Sequence, residues 1–119
     1  MSYAELHTVT VTTATAGGAG TEYTPRVTGR VVAITLATGE TFAAGMDLAI
    51  TSEDSKQNIW KEDNVAAAEM MYPVAKASTA SGVASTLTES PIVVANERIK
   101  IAVTNGGDAK VGTFHIIIA

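Results

Sequence analysis

Two histidines, His7 and His115, are the residues best suited to proton transfer or metal ligation. Each falls in a run of alternating apolar residues, without a second His or an Asp at ligand spacing. They read as histidines satisfied within strands, neither bases nor ligands. Glu53-Asp54 and Glu62-Asp63 offer hard oxygen ligands, but the spaced oxygens of a calcium loop are missing, so solvated loop charge is expected. A pair of carboxylates could serve glycosidic acid–base chemistry, yet nothing singles out such a pair. Gly17-Gly18-Ala19-Gly20 has the composition of a phosphate loop but lacks the Lys-Ser/Thr ending, and no helix follows it. It reads as a hairpin loop. Thr86-Leu87-Thr88-Glu89 spells a helix capping box, but Pro91 and β-branched residues come next. Trp60, Tyr23 and Tyr72 could build a sugar-stacking platform, although a single Trp in a small β core more often packs inside it. With no cysteine, disulfides, thiolate metal sites and a thiol nucleophile all fall away. No catalytic, metal or cofactor residue is expected, and the chain does not read as an enzyme.

The elements around these residues are strands. In Leu6-His7-Thr8-Val9-Thr10-Val11-Thr12-Thr13, Val9 and Val11 share one face and Thr8, Thr10 and Thr12 the other, the period of a half-buried strand. Tyr23-Thr24-Pro25 is a short extended piece, because Pro25 blocks a helix. Residues 29–37 form the next strand, with Val32, Ile34 and Leu36 on one face. Thr38-Gly39-Glu40 is a turn and Ala44-Gly45 a break. Met46, Leu48 and Ile50 mark another strand, and Ile59-Trp60-Lys61 a short one. Asp63-Asn64 could cap a brief helix near residues 64–71, stopped by Pro73, with an irregular covering loop as the alternative. Residues 75–90 are a Ser/Thr/Ala tract with almost no large apolar side chain, so an exposed, mobile loop is expected. Pro91 to Ala95, then Ile99, Ile101 and Val103, then Phe114, Ile116 and Ile118 mark the last strands. Asn105-Gly106-Gly107-Asp108-Ala109-Lys110 reads as a hairpin connection between the final two. The fold class predicted is all-β: one β-sandwich or jelly-roll-like domain of about seven or eight short antiparallel strands, with at most one short helix. The domain would span residues 7–119 behind an extended arm, residues 1–6.

Composition narrows the partners. The 119 residues suit one domain. A net charge of −4 and scattered Lys and Arg argue against nucleic acid. No apolar run approaches the ~20 residues that cross a bilayer, and Met1-Ser2-Tyr3-Ala4-Glu5 has no leader-like character, so neither a membrane nor a secretory leader is expected. Charged residues make up 17% of the chain, against an average near ~25%. A surface so poor in charge is consistent with coverage by other subunits, or with small polar side chains facing water.

Several segments together resemble a known family. They are Met1-Ser2-Tyr3 with His7 to Thr13, Tyr23-Thr24-Pro25, Gly29-Arg30, Met46 to Thr51, Ile59-Trp60 with Asn64, and Tyr72-Pro73. Asn96-Glu97-Arg98-Ile99-Lys100-Ile101 and the stretch from Gly106 to His115 carry most of the likeness. In these the chain is similar to small virion proteins of tailed bacteriophages, most of all capsid decoration, or cement, proteins. The likeness spans nearly the whole chain but consists of strand and turn sequences, and it carries over no catalytic residue. It implies a partner, the major capsid protein, a homotrimer on the capsid, and a place on the virion surface after synthesis in the host cytoplasm. A head–tail connector or tail protein, and a carbohydrate-binding β-sandwich, are the alternatives. Candidate contacts are the arm residues Ser2, Tyr3, Ala4, Glu5 and Leu6, and Lys76, Ser78, Thr79, Ser81 and Val83 of the tract. The arm is expected to order only on binding, since fixing it costs roughly 1–2 kcal/mol per residue.

Overall fold

The alternation of residue types along the chain becomes an alternation of burial. The computed structural model describes residues 4–15, 18–36, 42–43, 45–65, 70–78, 81–82 and 84–119. Val9 and Val11 are buried while Thr8, Thr10 and Thr12 are exposed, and the same two-residue period buries Met46, Leu48 and Ile50, then Ile99, Ile101 and Val103, then Phe114, Ile116 and Ile118.

The strands are β1 (Glu5–Thr12), β2 (Gly20–Tyr23), β3 (Val27–Leu36), β4 (Met46–Ser52), β5 (Asn58–Val65), β6 (Met70–Met71), β7 (Val74–Ser78), β8 (Ala84–Pro91), β9 (Val93–Glu97), β10 (Ile99–Thr104) and β11 (Val111–Ile118). One sheet runs β1-β11-β3-β6, with β9 also on β3. A second runs β2-β10-β4-β5, and β7 pairs with β8 alone. The pairings are antiparallel. The inner faces of the two larger sheets meet in one core, where Phe42 stacks on Phe114 with centroids 6.1 Å apart. The protein is an all-β, sandwich-like domain. Each fully buried Ile or Phe in such a core contributes about 1.5–3 kcal/mol.

Five expectations need correction. First, among the described residues the strands number eleven, because β6 is only two residues long and β7 and β8 lie in a stretch without an alternating apolar pattern. Second, Asn64 and Val65 end β5, and Met70 and Met71 form β6, so the described part of residues 64–71 is strand; residues 66–69 lie outside the described residues. Third, the Ser/Thr/Ala tract forms the β7–β8 hairpin, Val74 opposite Pro91 and Lys76 opposite Glu89, because ladder bonds join backbones and need no large side chains. Fourth, Glu5 and Leu6 are not arm but the start of β1, opposite Ile118 and Ile117. Fifth, Val32 is 39% exposed whereas Val31 is buried. Ile117 lies opposite Ala33 and Ile118 opposite Val31, so Val32 is the extra residue of a bulge that resets the alternation. The turn at 38–40 and Ala44 lie outside the described residues.

Both glycine-rich connections also differ from the hairpins expected. β1 and β2 belong to different sheets, as do β10 and β11, so each connection is an arch across the sandwich. The arches bond to each other: Gly106 N–H donates to Gly18 O at 2.9 Å. The buried Thr13 hydroxyl donates to Gly107 O at 2.7 Å and accepts from Lys110 N–H at 2.8 Å. Gly18 has φ +62°, and a Cβ there would lie 2.7 Å from Gly107 N, so the junction requires glycine.

Candidate functional site

Among the described residues, a dense set of polar side chains lies where β9 passes into β10. Asn96 takes φ +48°, turning the chain so that Glu97 points inward and is buried. Its carboxylate accepts from Asp54 N–H and Ser55 N–H at 3.0 Å each, and from the Ser55 hydroxyl at 2.9 Å. Ser52 Oγ lies 2.8 Å from Ser55 Oγ and accepts from Gln57 N–H at 2.8 Å. Arg98 grips Glu53 through Nε and Nη2, both at 2.5 Å, and its guanidinium lies 4.2 Å from the centroid of the Tyr23 ring. Arg26 Nη1 donates to Asn96 O at 2.6 Å.

These contacts set the charges. The Ser55 backbone bond, aided by the Ser55 hydroxyl and Asp54 N–H, holds the Glu97 carboxyl below the usual glutamate range against the opposing effect of burial. The hydrogen bond from Arg98 does the same for Glu53, and Glu53 in turn raises Arg98. A serine next to a carboxylate suggests nucleophilic chemistry, but here the carboxylate is ionised and filled by its donors, and no imidazole or amine touches either serine among the contacts described. The arrangement is a clasp that ties the 53–55 turn to β9–β10. Sequence reasoning took Glu53-Asp54 for solvated charge and assigned Glu97 no role. The one signal was a charged Glu97-Arg98 pair set between two apolar runs.

The other candidates do not assemble. Thr8 lies opposite His115 and His7 opposite Ile116, so the histidines project from opposite faces of the sheet and cannot share a metal. His115 Nδ1 lies 3.1 Å from Thr8 Oγ1. His7 corrects the expectation of a satisfied histidine: its buried Nε2 has no hydrogen bond among the described residues, only an ion-pair contact with Glu5 Oε2 at 3.4 Å. Among the described residues no group of three His, Asp or Glu could hold a metal ion. No helix among them is long and apolar enough to cross a membrane. Trp60 is buried and donates to Glu62 Oε1 at 3.2 Å, so it forms no platform with the exposed Tyr23 and Tyr72.

What the surface offers instead is apolar. Val32, Tyr72, Val74 and Val93 are exposed, Tyr72 by 64%. A cleft of about 320 Å³ lies between β3 and the base of the β7–β8 hairpin, lined by Val32, Tyr72, Val74 and Pro91 with Arg30 and Glu89 as polar rim. The bulge turns Val32 outward, and Tyr72-Pro73 carries the chain from β6 to β7. Sequence reasoning placed Val32 in the core and weighed Tyr72 only as part of a sugar platform, so the flank was not foreseen.

Of the candidate contacts, Ala4 is exposed, Glu5 and Leu6 lie in β1 with Leu6 61% exposed, and Ser81 is exposed in the turn between β7 and β8. Lys76 and Ser78 are strand residues of β7, while Ser2, Tyr3, Thr79 and Val83 lie outside the described residues. The register Glu5–Ile118–Val31 crosses the sheet in one line, and Val31 N–H donates to Ile92 O beside the hairpin base at 2.9 Å. The start of β1 and the root of the hairpin therefore share one end of the molecule. Compared with protein-family models, with curated proteins and with solved structures, the chain matches none of them.

Proposed function

We propose that this chain is a structural protein of a tailed-bacteriophage virion, a decoration or cement protein that binds the outside of the assembled capsid and stabilises it. The observation that carries this reading is the apolar flank formed by Val32, Tyr72 and Val74, exposed side chains that line one cleft. A contiguous exposed apolar surface with a polar rim marks a protein interface, and the low charge of the chain suits a surface that ends up covered. The partner class comes from the resemblance of the strand and turn sequences to phage decoration proteins. The major capsid protein is the proposed partner, and three copies around a three-fold or pseudo-three-fold position gain interface area that one small domain lacks. The protein would reach the virion surface after synthesis in the host cytoplasm. To test this, capsids lacking the protein are incubated with the purified chain and imaged. The expected result is added density on the outer surface at three-fold positions. Bare capsids would reject the reading, and isolated single copies at hexamer centres would reject the trimer.

A further inference from the structure

We propose that the outer edge of β1 is a self-pairing edge, to which β1 of a second copy of this chain adds antiparallel across a two-fold axis, joining two sheets into one. The backbone directions follow from the ladder. Thr13 N–H donates to Lys110 O at 2.8 Å, and the register runs without a break from Glu5↔Ile118 to Thr12↔Val111. Hydrogen-bonded pairs alternate in an antiparallel ladder, so the odd-numbered residues bond β11 and Leu6, Thr8, Thr10 and Thr12 direct N–H and C=O outward. Among the described residues no strand pairs with that side of β1.

Open edges are normally guarded, and the other long edge shows how. β5 is also eight residues, but it carries Lys61, Glu62 and Asp63, shifts register twice against β4, and places Asn64 at φ +60°. β2 has four residues, one of them Glu22. β1 has no bulge, proline or glycine, and no Asp, Glu, Lys or Arg from Leu6 to Thr12. A Cβ on Gly20 would lie 2.7 Å from Thr12 O, so the arch covers that end and leaves residues 6–10 open. The centre of that open stretch is Thr8.

Self-complementarity selects the second copy as occupant. Antiparallel pairing about Thr8 sets Thr8 against Thr8 and Leu6 against Thr10, placing hydroxyl and apolar groups of the exposed face side by side. Glu5 falls opposite Val11, so the two Glu5 charges stay about 20 Å apart at ~3.4 Å per residue. From Leu6 to Thr12 the edge offers no Asp, Glu, Lys or Arg to select a strand of other chemistry. This pairing does not depend on the capsid reading, and its test uses the purified chain alone.

Sedimentation equilibrium to about 1 mM is expected to show a reversible dimer. Thr8→Pro removes an outward N–H and no backbone bond to β11, giving up only the exposed hydroxyl contact with His115, so it should raise the dissociation constant at least about tenfold while circular dichroism stays that of the native chain and melting falls little. Thr10→Lys tests the same edge without touching the backbone and should also weaken the dimer. Since the chain has no cysteine, Thr8→Cys should oxidise to a covalent dimer, and Thr113→Cys, one strand inward, should not. A wild-type monomer throughout, or an oligomer that both Thr8→Pro and Thr10→Lys leave intact, overturns the proposal.

Discussion

The Glu97 clasp and the flank beside the β7–β8 hairpin use their side chains in opposite ways. In the clasp, the carboxylate, the serine hydroxyls and the Arg98–Glu53 pair are consumed by contacts within the chain. On the flank, Val32, Tyr72 and Val74 stand in solvent without a covering element among the described residues. The lesson is that a cluster of chemically capable residues is no site when its groups already satisfy one another. Exposed apolar side chains, by contrast, leave favourable burial for a partner to complete.

The comparison breaks most directly at Glu97. Glu97→Ala leaves two backbone N–H groups and a hydroxyl of the 53–55 turn without their acceptor, and should cost about 3 kcal/mol. At roughly 4 °C per kcal/mol, melting should fall by about 12 °C. A loss under ~1 kcal/mol would mean that water replaces the carboxylate and the clasp is not structural. Thr13→Val applies the same test at the arches, where the hydroxyl both donates and accepts, and should cost about 1–2 kcal/mol in denaturant melts.

A gentler probe is pH. The Glu97 carboxyl titrates below its unfolded value, so its contribution is present above that value and is lost as pH falls through the lower folded one. Stability should be flat through neutral pH and decline below ~4.3, the ordinary glutamate value. Glu53 contributes in the same direction through Arg98, so the readout is the difference between the native chain and Glu97→Gln. The variant should lose part of the acid slope; an unchanged slope would assign it to other carboxylates.

Much of the sandwich was legible because burial follows a two-residue period wherever the ladder is regular, as at Ile99, Ile101 and Val103. Legibility failed where geometry departs from local rules. One bulge at Val32 reversed the expected face and hid a residue of the apolar flank. Gly17-Gly18 and Gly106-Gly107 announce that the chain turns but not into which sheet, so two arches read as hairpins. The β7–β8 ladder rests on backbone bonds, which Ser, Thr and Ala neither advertise nor forbid. The Glu97 clasp joins residues more than forty positions apart, beyond any local pattern.

The smallest expected effect on stability belongs to the flank: Tyr72→Ser with Val74→Ser should change it by no more than ~0.5 kcal/mol per site, since neither side chain is core. That silence makes the pair the sharpest probe of the central claim. Co-sedimentation with capsids lacking the protein would compare the native chain, this double variant, and Lys61→Ser on the guarded β5 edge. The expected result is at least about tenfold weaker attachment for the double variant, with Lys61→Ser and the native chain alike. Equal attachment by all three would contradict the assignment of the flank as the capsid-binding surface.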